Sequence, residues 1–116
     1  MDFALSEDQQ MLQDAAREFA QGELAPRAAA SDAAETYVAE QVALCGEMGF
    51  MGMGVPERFG GSALDAVSAS LILMEINQAC ASTGITVSEH NSLVCGGLLQ
   101  FGTDERQARY LPYLEG

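Results

Sequence analysis

Residues 49–61 read GFMGMGVPERFGG and interrupt a chain whose other patterns are helical. The five glycines of this stretch tolerate positive φ and close backbone approach. Pro56 fixes its own φ and favours extended geometry at Val55. The stretch therefore predicts an ordered connection between helices, which we call the glycine crossover. It is not a dinucleotide-binding fingerprint, because Glu57 stands where that motif needs a glycine and no strand pattern precedes it.

Helical patterns precede the crossover. Ser6 and Gln9 have the spacing of a capping box, and apolar residues then recur at intervals of three and four over residues 11–19. Gly22 and Pro26 are expected to end or bend this helix. A short alanine-rich helical piece up to Ala34 and a further helix over residues 37–48 are expected to follow. The expected buried face of the first helix is Met11, Leu12, Ala15, Ala16 and Phe19.

Further helical patterns follow the crossover. A helix is expected whose buried stripe is Leu64, Val67, Leu71 and Met74. Residues 81–84 predict a break, residues 85–101 a second apolar helix, and Thr103 the N-cap of a short last helix. No segment alternates as a strand does. The prediction is an all-α, up-and-down helical bundle of about five or six helices in one domain, residues 1–116.

Composition excludes several classes of function. Seventeen acidic residues and five basic ones, all arginine, give a net charge of −12, which disfavours nucleic-acid binding and anionic lipid surfaces. The absence of lysine excludes a Walker A loop, a Schiff-base enzyme and a pyridoxal-phosphate site. No apolar run could serve as a transmembrane segment or signal peptide, so the expected location is cytoplasmic.

The side chains with chemical reactivity have ordinary interpretations. The three cysteines are widely spaced in apolar surroundings, which favours reduced core thiols over disulfides. One histidine with dispersed carboxylates predicts no metal site. His90 lies beside Glu89 and near Ser92, but such neighbours diverge on a helix, so a hydrogen-bonded histidine is favoured over a catalytic one.

The glycine crossover closely resembles the Val-Pro-Glu-x-Phe-Gly-Gly segment of the acyl-CoA dehydrogenase family, in its amino-terminal domain. Residues 88–93 (SEHNSL) and Phe101-Gly102-Thr103 extend the resemblance along the whole chain. Residues 80–84 (CASTG) are most similar to members that act on short straight or branched acyl-CoA thioesters. The resemblance implies the first domain of that fold, with the middle β domain and the carboxy-terminal helical domain outside this chain.

The family's activity implies a full-length flavoenzyme of fatty acid β-oxidation. Such an enzyme dehydrogenates acyl-CoA to trans-2-enoyl-CoA, passes electrons through FAD to an electron-transfer flavoprotein, and is a homotetramer. The family's flavin motifs and its base glutamate belong to later domains. The resemblance therefore implies no catalytic residue in this chain, an unknown set of cofactor-binding residues, and an inactive fragment.

Two sets of site residues follow from the resemblance. Ile85, Glu89 and Leu93 match the wall of the acyl pocket, and their spacing by four puts them on one helical face. The matching positions for docking of the electron-transfer flavoprotein are Leu12, Phe50, Leu64 and Ile72. From the residues alone, Glu89 is equally consistent with a plain surface position, and the four apolar residues with a plain core.

Two other functions remain open at this point. The chain could be a non-catalytic helical interaction module, consistent with its acidic surface and missing catalytic machinery. Alternatively, flavin monooxygenases and nitroalkane oxidases are built on the same fold, and the residues that distinguish them belong to later domains.

Overall fold

The computed structural model describes residues 2–114, which contain helices and, within that range, no strand. The helices are α1 (Glu7–Phe19), α2 (Ala25–Ala34), α3 (Ala39–Glu47), α4 (Ala66–Ala79), α5 (Ala81–Glu89), α6 (Gly96–Phe101) and α7 (Asp104–Leu114). π-helical segments at Ala20–Leu24 and His90–Cys95 join α1 to α2 and α5 to α6. The seven α-helices thus form five continuous rods, which confirms the predicted all-α bundle.

The first rod begins where the sequence predicts and continues further than expected. The backbone N–H of Gln9 donates to Ser6 Oγ at 3.1 Å, and the N–H of Ser6 donates to Gln9 Oε1 at 2.9 Å. Of the two outcomes expected at Gly22 and Pro26, an end or a bend, the end is not observed. The chain remains helical through a π segment at Ala20–Leu24, and Pro26 follows directly after it in α2.

The main core lies where α1 and α4 pack together and α4 meets α5. Its largest fully buried members include Leu24, Met53, Ile72 and Ile76. The predicted stripe of α4 is partly wrong, because Val67 and Met74 are exposed while Ile72 and Ile76 are buried. Apolar residues occur on nearly every side of α4, so helix packing and not periodicity selects the buried side.

One ion pair joins α1 to α4. Glu75 is 2% exposed, and its Oε1 accepts hydrogen bonds from Arg17 Nη2 at 2.8 Å and Arg17 Nε at 3.2 Å. That hydrogen bond, followed by the charge of Glu75, raises the pKa of Arg17. Glu75 Oε2 has no hydrogen-bond partner among residues 2–114. The positive charge of Arg17 therefore compensates the negative charge of the buried Glu75 carboxylate.

The glycine crossover is ordered, as predicted. Gly49 and Gly60 have φ values of 82° and 92°, which favour glycine. The chain then folds back on itself: the N–H groups of residues 62, 63 and 64 donate to the carbonyls of residues 52, 55 and 53 at 3.0, 3.0 and 2.6 Å. A Cβ on Gly61 would lie 2.1 Å from the Val55 carbonyl oxygen. This return therefore requires glycine at position 61.

The turn between α4 and α5 is shorter than expected. Cys80 alone is extended, with φ −158° and ψ 104°, and α5 begins at Ala81. The predicted break over residues 81–84 is therefore wrong, since these residues form the first turn of α5. A Cβ on Gly84 would lie 2.2 Å from Asn77 Oδ1, so the absence of a side chain there allows the close approach of α4 and α5.

The three cysteines lie inside the protein. Cys45, Cys80 and Cys95 are buried and form no disulfide. Burial, with a smaller contribution from the neighbouring Cys80 thiol, raises the pKa of Cys45 to about 11. Because the thiolate is the reactive form, Cys45 is an unreactive core residue at neutral pH.

The protein is a thin slab with dimensions of 42 × 40 × 20 Å. Since a helix with its side chains is about 10–12 Å across, the slab is roughly two helices thick. Its accessible surface is 7114 Å², whereas a compact protein of 12.3 kDa would expose about 6,100 Å². Large apolar side chains consequently remain exposed, among them Met11, Met74, Ile85, Leu93 and Phe101. Among the described residues, no helix combines the length and apolarity needed to span a membrane.

We predict that two glycines of the crossover differ in how well they tolerate replacement by alanine. Gly61→Ala places a methyl group against the Val55 carbonyl and should lower the free energy of unfolding by about 2 kcal/mol or more. Gly54→Ala is the matched control, because a Cβ there meets nothing within 4 Å; its effect should stay within about 1 kcal/mol. Urea unfolding measures both. Equal losses for the two variants would show that the close return is not required.

Candidate functional site

The predicted pocket residues lie on the outer side of the fourth rod. Ile85 is 57% exposed, Leu93 is 69% exposed, and Glu89 between them is also exposed. Val87, on the opposite side, is fully buried in the core. The structure therefore brings the three predicted residues together on one surface, which we call the α5 face (Ile85, Glu89 and Leu93).

The π segment that follows Glu89 affects the α5 face. An α-helix turns by about 100° per residue. Hydrogen bonds to the fifth preceding residue widen the turn, so each residue advances by less than that. The backbone N–H of Gly96 donates to the Asn91 carbonyl in this pattern. As a result, Leu93 drifts round the helix from Ile85 and Glu89 by a smaller angle than it would in a regular α-helix.

The polar residues near the α5 face are committed to other hydrogen bonds. Ser92 Oγ donates to the Ser88 carbonyl at 2.8 Å, and Thr86 Oγ1 donates to the Ser82 carbonyl at 2.9 Å. His90 Nε2 pairs with the backbone carbonyl of Leu114, at the end of α7. His90, Glu89 and Ser92 therefore do not form a catalytic triad, and the interpretation of His90 as a hydrogen-bonded residue is confirmed.

A second candidate surface is an open groove of about 700 Å³ between the start of α1 and the start of α4. We call it the α1–α4 groove. Its apolar lining is Met11, Leu12, Ala15, Ala63 and Leu64, and its polar lining includes Asp8 and Asp65. It thus combines an apolar floor with carboxylates at the ends of two helices.

The four predicted docking residues divide into two pairs. Leu12 and Leu64 line the α1–α4 groove from its two sides. Phe50 is only 6% exposed and Ile72 is 0% exposed, so both belong to the core and offer almost no surface. Sequence reasoning missed Met11 as a groove residue because its spacing predicted burial, whereas the slab leaves it exposed.

Two residues at the entrance to α4 shape the groove. Asp65 Oδ1 accepts the backbone N–H of Ser68 at 2.8 Å, and hydrogen bonds from Ser68 lower the pKa of the Asp65 carboxyl. Asp65 therefore remains charged at the rim. Ala63 has a φ of 52°, which is costly for a residue with a Cβ and is maintained by the hydrogen bond from its N–H to Val55. This conformation precedes Leu64, whose side chain lines the groove.

The described residues contain no group of three or more side chains suited to hold a metal ion. Basic side chains that could bind a diphosphate are also scarce: Arg17 and Arg27 pair with glutamates, and Arg58 and Arg109 stack on aromatic rings. The α5 face is apolar apart from Glu89. It therefore fits a hydrocarbon group better than the phosphates of a nucleotide cofactor.

Comparisons with known proteins bear on the family and the fold. Residues 6–115 match the family model described as acyl-CoA dehydrogenase, N-terminal domain. The short-chain specific acyl-CoA dehydrogenase of Bos taurus mitochondria is 42% identical over 113 residues, covering 97% of this chain and 27% of that protein.

Two solved structures share the fold over almost the entire chain. One, from work on the electron transferring flavoprotein of Acidaminococcus fermentans and flavin-based electron bifurcation, has a TM-score of 0.93 and 40% identity. The other, butyryl-CoA dehydrogenase from Megasphaera elsdenii, has a TM-score of 0.90 and 30% identity. This chain spans 30% and 31% of those two chains.

Proposed function

Since this chain belongs to the acyl-CoA dehydrogenase family, through that family's amino-terminal domain, we propose that it forms one wall of the acyl pocket of a flavoenzyme. The complete enzyme would dehydrogenate acyl-CoA thioesters to trans-2-enoyl-CoA. The observation that carries this proposal is the exposed α5 face, an apolar surface on a helix whose other side is fixed in the core. The complete enzyme would add a middle β domain and a carboxy-terminal helical domain, and would assemble as a homotetramer.

The α5 face would contribute binding and exclusion of water. Ile85 and Leu93 offer apolar surface, and each buried methylene of an acyl chain is worth about 0.8 kcal/mol. Glu89 lies between them, and a carboxylate cannot be buried against a hydrocarbon without water or a partner. We therefore propose that Glu89 limits the length of chain that the wall accepts. The short-chain name of the bovine relative and the butyryl-CoA name of the bacterial one are consistent with this.

FAD, when bound, would supply the acceptor for the hydride removed from the substrate. The residues that hold it would lie mostly outside this chain, because four of the five arginines here have other partners. The catalytic base would also come from elsewhere. The one glutamate that is buried within residues 2–114, Glu75, is hydrogen-bonded to Arg17 between α1 and α4. The part played by this chain is to orient the acyl chain and to exclude water from the reacting carbons.

The α1–α4 groove would receive the electron-transfer flavoprotein. An apolar side chain from that partner would enter between Leu12 and Leu64, where the floor is apolar and partly accessible. Interfaces of this kind depend on a few anchor residues in such depressions. The carboxylates of Asp8 and Asp65 at the rim favour a partner segment with basic residues beside its anchor.

The role of the α5 face can be tested by truncating Ile85. In the complete enzyme, Ile85→Ala enlarges the wall and should raise kcat/KM for longer acyl-CoA substrates relative to butyryl-CoA by about tenfold, since one methylene is worth 1–3 kcal/mol in a fitted pocket. Met74→Ala is the control, because Met74 is similarly exposed but lies on α4. An unchanged chain-length profile in Ile85→Ala would refute the proposed wall.

Docking can be tested separately at the groove. Leu12→Ala in the complete enzyme should raise the KM for the electron-transfer flavoprotein about tenfold, because an anchor contact is lost. Reduction of the bound flavin by substrate should keep its rate. Leu99→Ala makes the same chemical change at a half-buried position far along the chain, on α6, and should affect neither step. If Leu12→Ala slowed both steps equally, docking at the groove would be contradicted.

A further inference from the structure

Asn91 connects the π segment after α5 to the glycine crossover. Its Oδ1 accepts the backbone N–H of Met53 at 2.8 Å. Its Nδ2 donates to the Phe50 carbonyl at 2.8 Å and to the Val87 carbonyl at 2.9 Å. The Met53 N–H requires an acceptor, and the carbonyls of Phe50 and Val87 require donors. These three partners therefore fix which way the Asn91 amide is oriented.

The bond to Val87 has a local consequence. In a continuous α-helix, that carbonyl would accept the backbone N–H of Asn91. The side-chain amide of Asn91 also binds this carbonyl, at the start of the segment where the turn widens. π segments of this kind are frequent at functional sites. Asn91 thus anchors to α5 the start of the segment that carries Leu93.

The bond to Met53 continues toward the other surface. The Met53 carbonyl accepts the N–H of Leu64 at 2.6 Å, and the side chain of Leu64 lines the α1–α4 groove. Asn91 itself lies two residues from both Glu89 and Leu93. Two hydrogen bonds, from Leu64 to Met53 and from Met53 to Asn91, therefore connect the groove to the α5 face.

We propose that Asn91 is a positioning residue that holds the α5 face and the α1–α4 groove at a fixed distance from each other. The inference rests on the functions proposed above for those two surfaces. Asn91 touches neither substrate nor partner in this role. It acts through Met53 and Val87. Its loss therefore shifts the two surfaces relative to each other, although the residues that form them are unchanged.

Gln107 provides a matched control. Its Nε2 donates to the carbonyls of Leu98, Leu99 and Gly102 at 3.1, 3.2 and 3.1 Å, with one of its two N–H groups shared between two carbonyls, so it is also an amide with three backbone partners. It ties α7 to the end of α6 and contacts neither surface. Replacement of either amide by leucine removes the same number of hydrogen bonds, and a purely structural role would make the two variants behave alike.

The test compares Asn91→Leu with Gln107→Leu in the complete enzyme. Asn91→Leu should change the ratio of kcat/KM for butyryl-CoA to that for octanoyl-CoA by about threefold or more, and the KM for the electron-transfer flavoprotein by a similar factor. The kcat for the best substrate should change less. Gln107→Leu should lower Tm by a comparable amount. It should change neither the kcat/KM ratio of the two substrates nor the KM for the electron-transfer flavoprotein. The proposal is overturned if Asn91→Leu matches Gln107→Leu in either readout.

The variants Ile85→Ala and Leu12→Ala distinguish a failure of the Asn91 proposal from a failure of the functions proposed for the two surfaces. If they shift their readouts and Asn91→Leu does not, only the role of Asn91 is lost. If they too leave the readouts unchanged, the proposed function fails together with it.

Amide hydrogen exchange on the unmodified enzyme needs no variant to fold. An enoyl-CoA ligand should slow exchange at Met53 and Leu64, and unchanged exchange at both would also overturn the proposal.

Discussion

The return of residues 62–64 against residues 52–55 is the constraint on which the rest of this structure depends. Three backbone hydrogen bonds hold it, and it exists only because Gly61 has no Cβ to meet the Val55 carbonyl. It places Leu64 beside α1, so that a groove forms there. It also presents the N–H of Met53 to Asn91 and so connects the crossover to the α5 face. A connecting segment with two short 3₁₀ turns, at Phe50–Gly52 and Glu57–Phe59, thereby positions both candidate surfaces.

A thin slab explains why so much apolar surface is exposed. With a thickness of 20 Å, the domain buries one side of each major helix and leaves the other side uncovered. Exposed Ile85 and Leu93 would be unfavourable in a protein that worked alone. They are expected in a domain whose outer face meets a substrate and neighbouring domains. The same reasoning applies to Met11 at the α1–α4 groove.

The sequence predicted what depends on local chemistry. The capping box at Ser6 and the N-cap at Thr103 follow from residue type and short spacing, and the structure has both. It did not predict the π segments, because a change in helical period leaves no distinct apolar pattern. The sequence left both docking and core positions open for Phe50 and Ile72, and they are core residues, because tertiary packing and not local spacing decides burial. Two of the three partners of Asn91 lie 38 and 41 residues away, so local spacing could not identify them.

The central claim is that this domain shelters an acyl chain beside a flavin in a complete dehydrogenase. Anaerobic absorbance of the complete protein, purified with FAD, tests this most directly. Addition of butyryl-CoA should bleach the oxidised flavin band and yield the corresponding trans-2-enoyl-CoA in proportion. A protein that binds no flavin, or whose flavin band stays unchanged with acyl-CoA substrates of every chain length, would contradict the account.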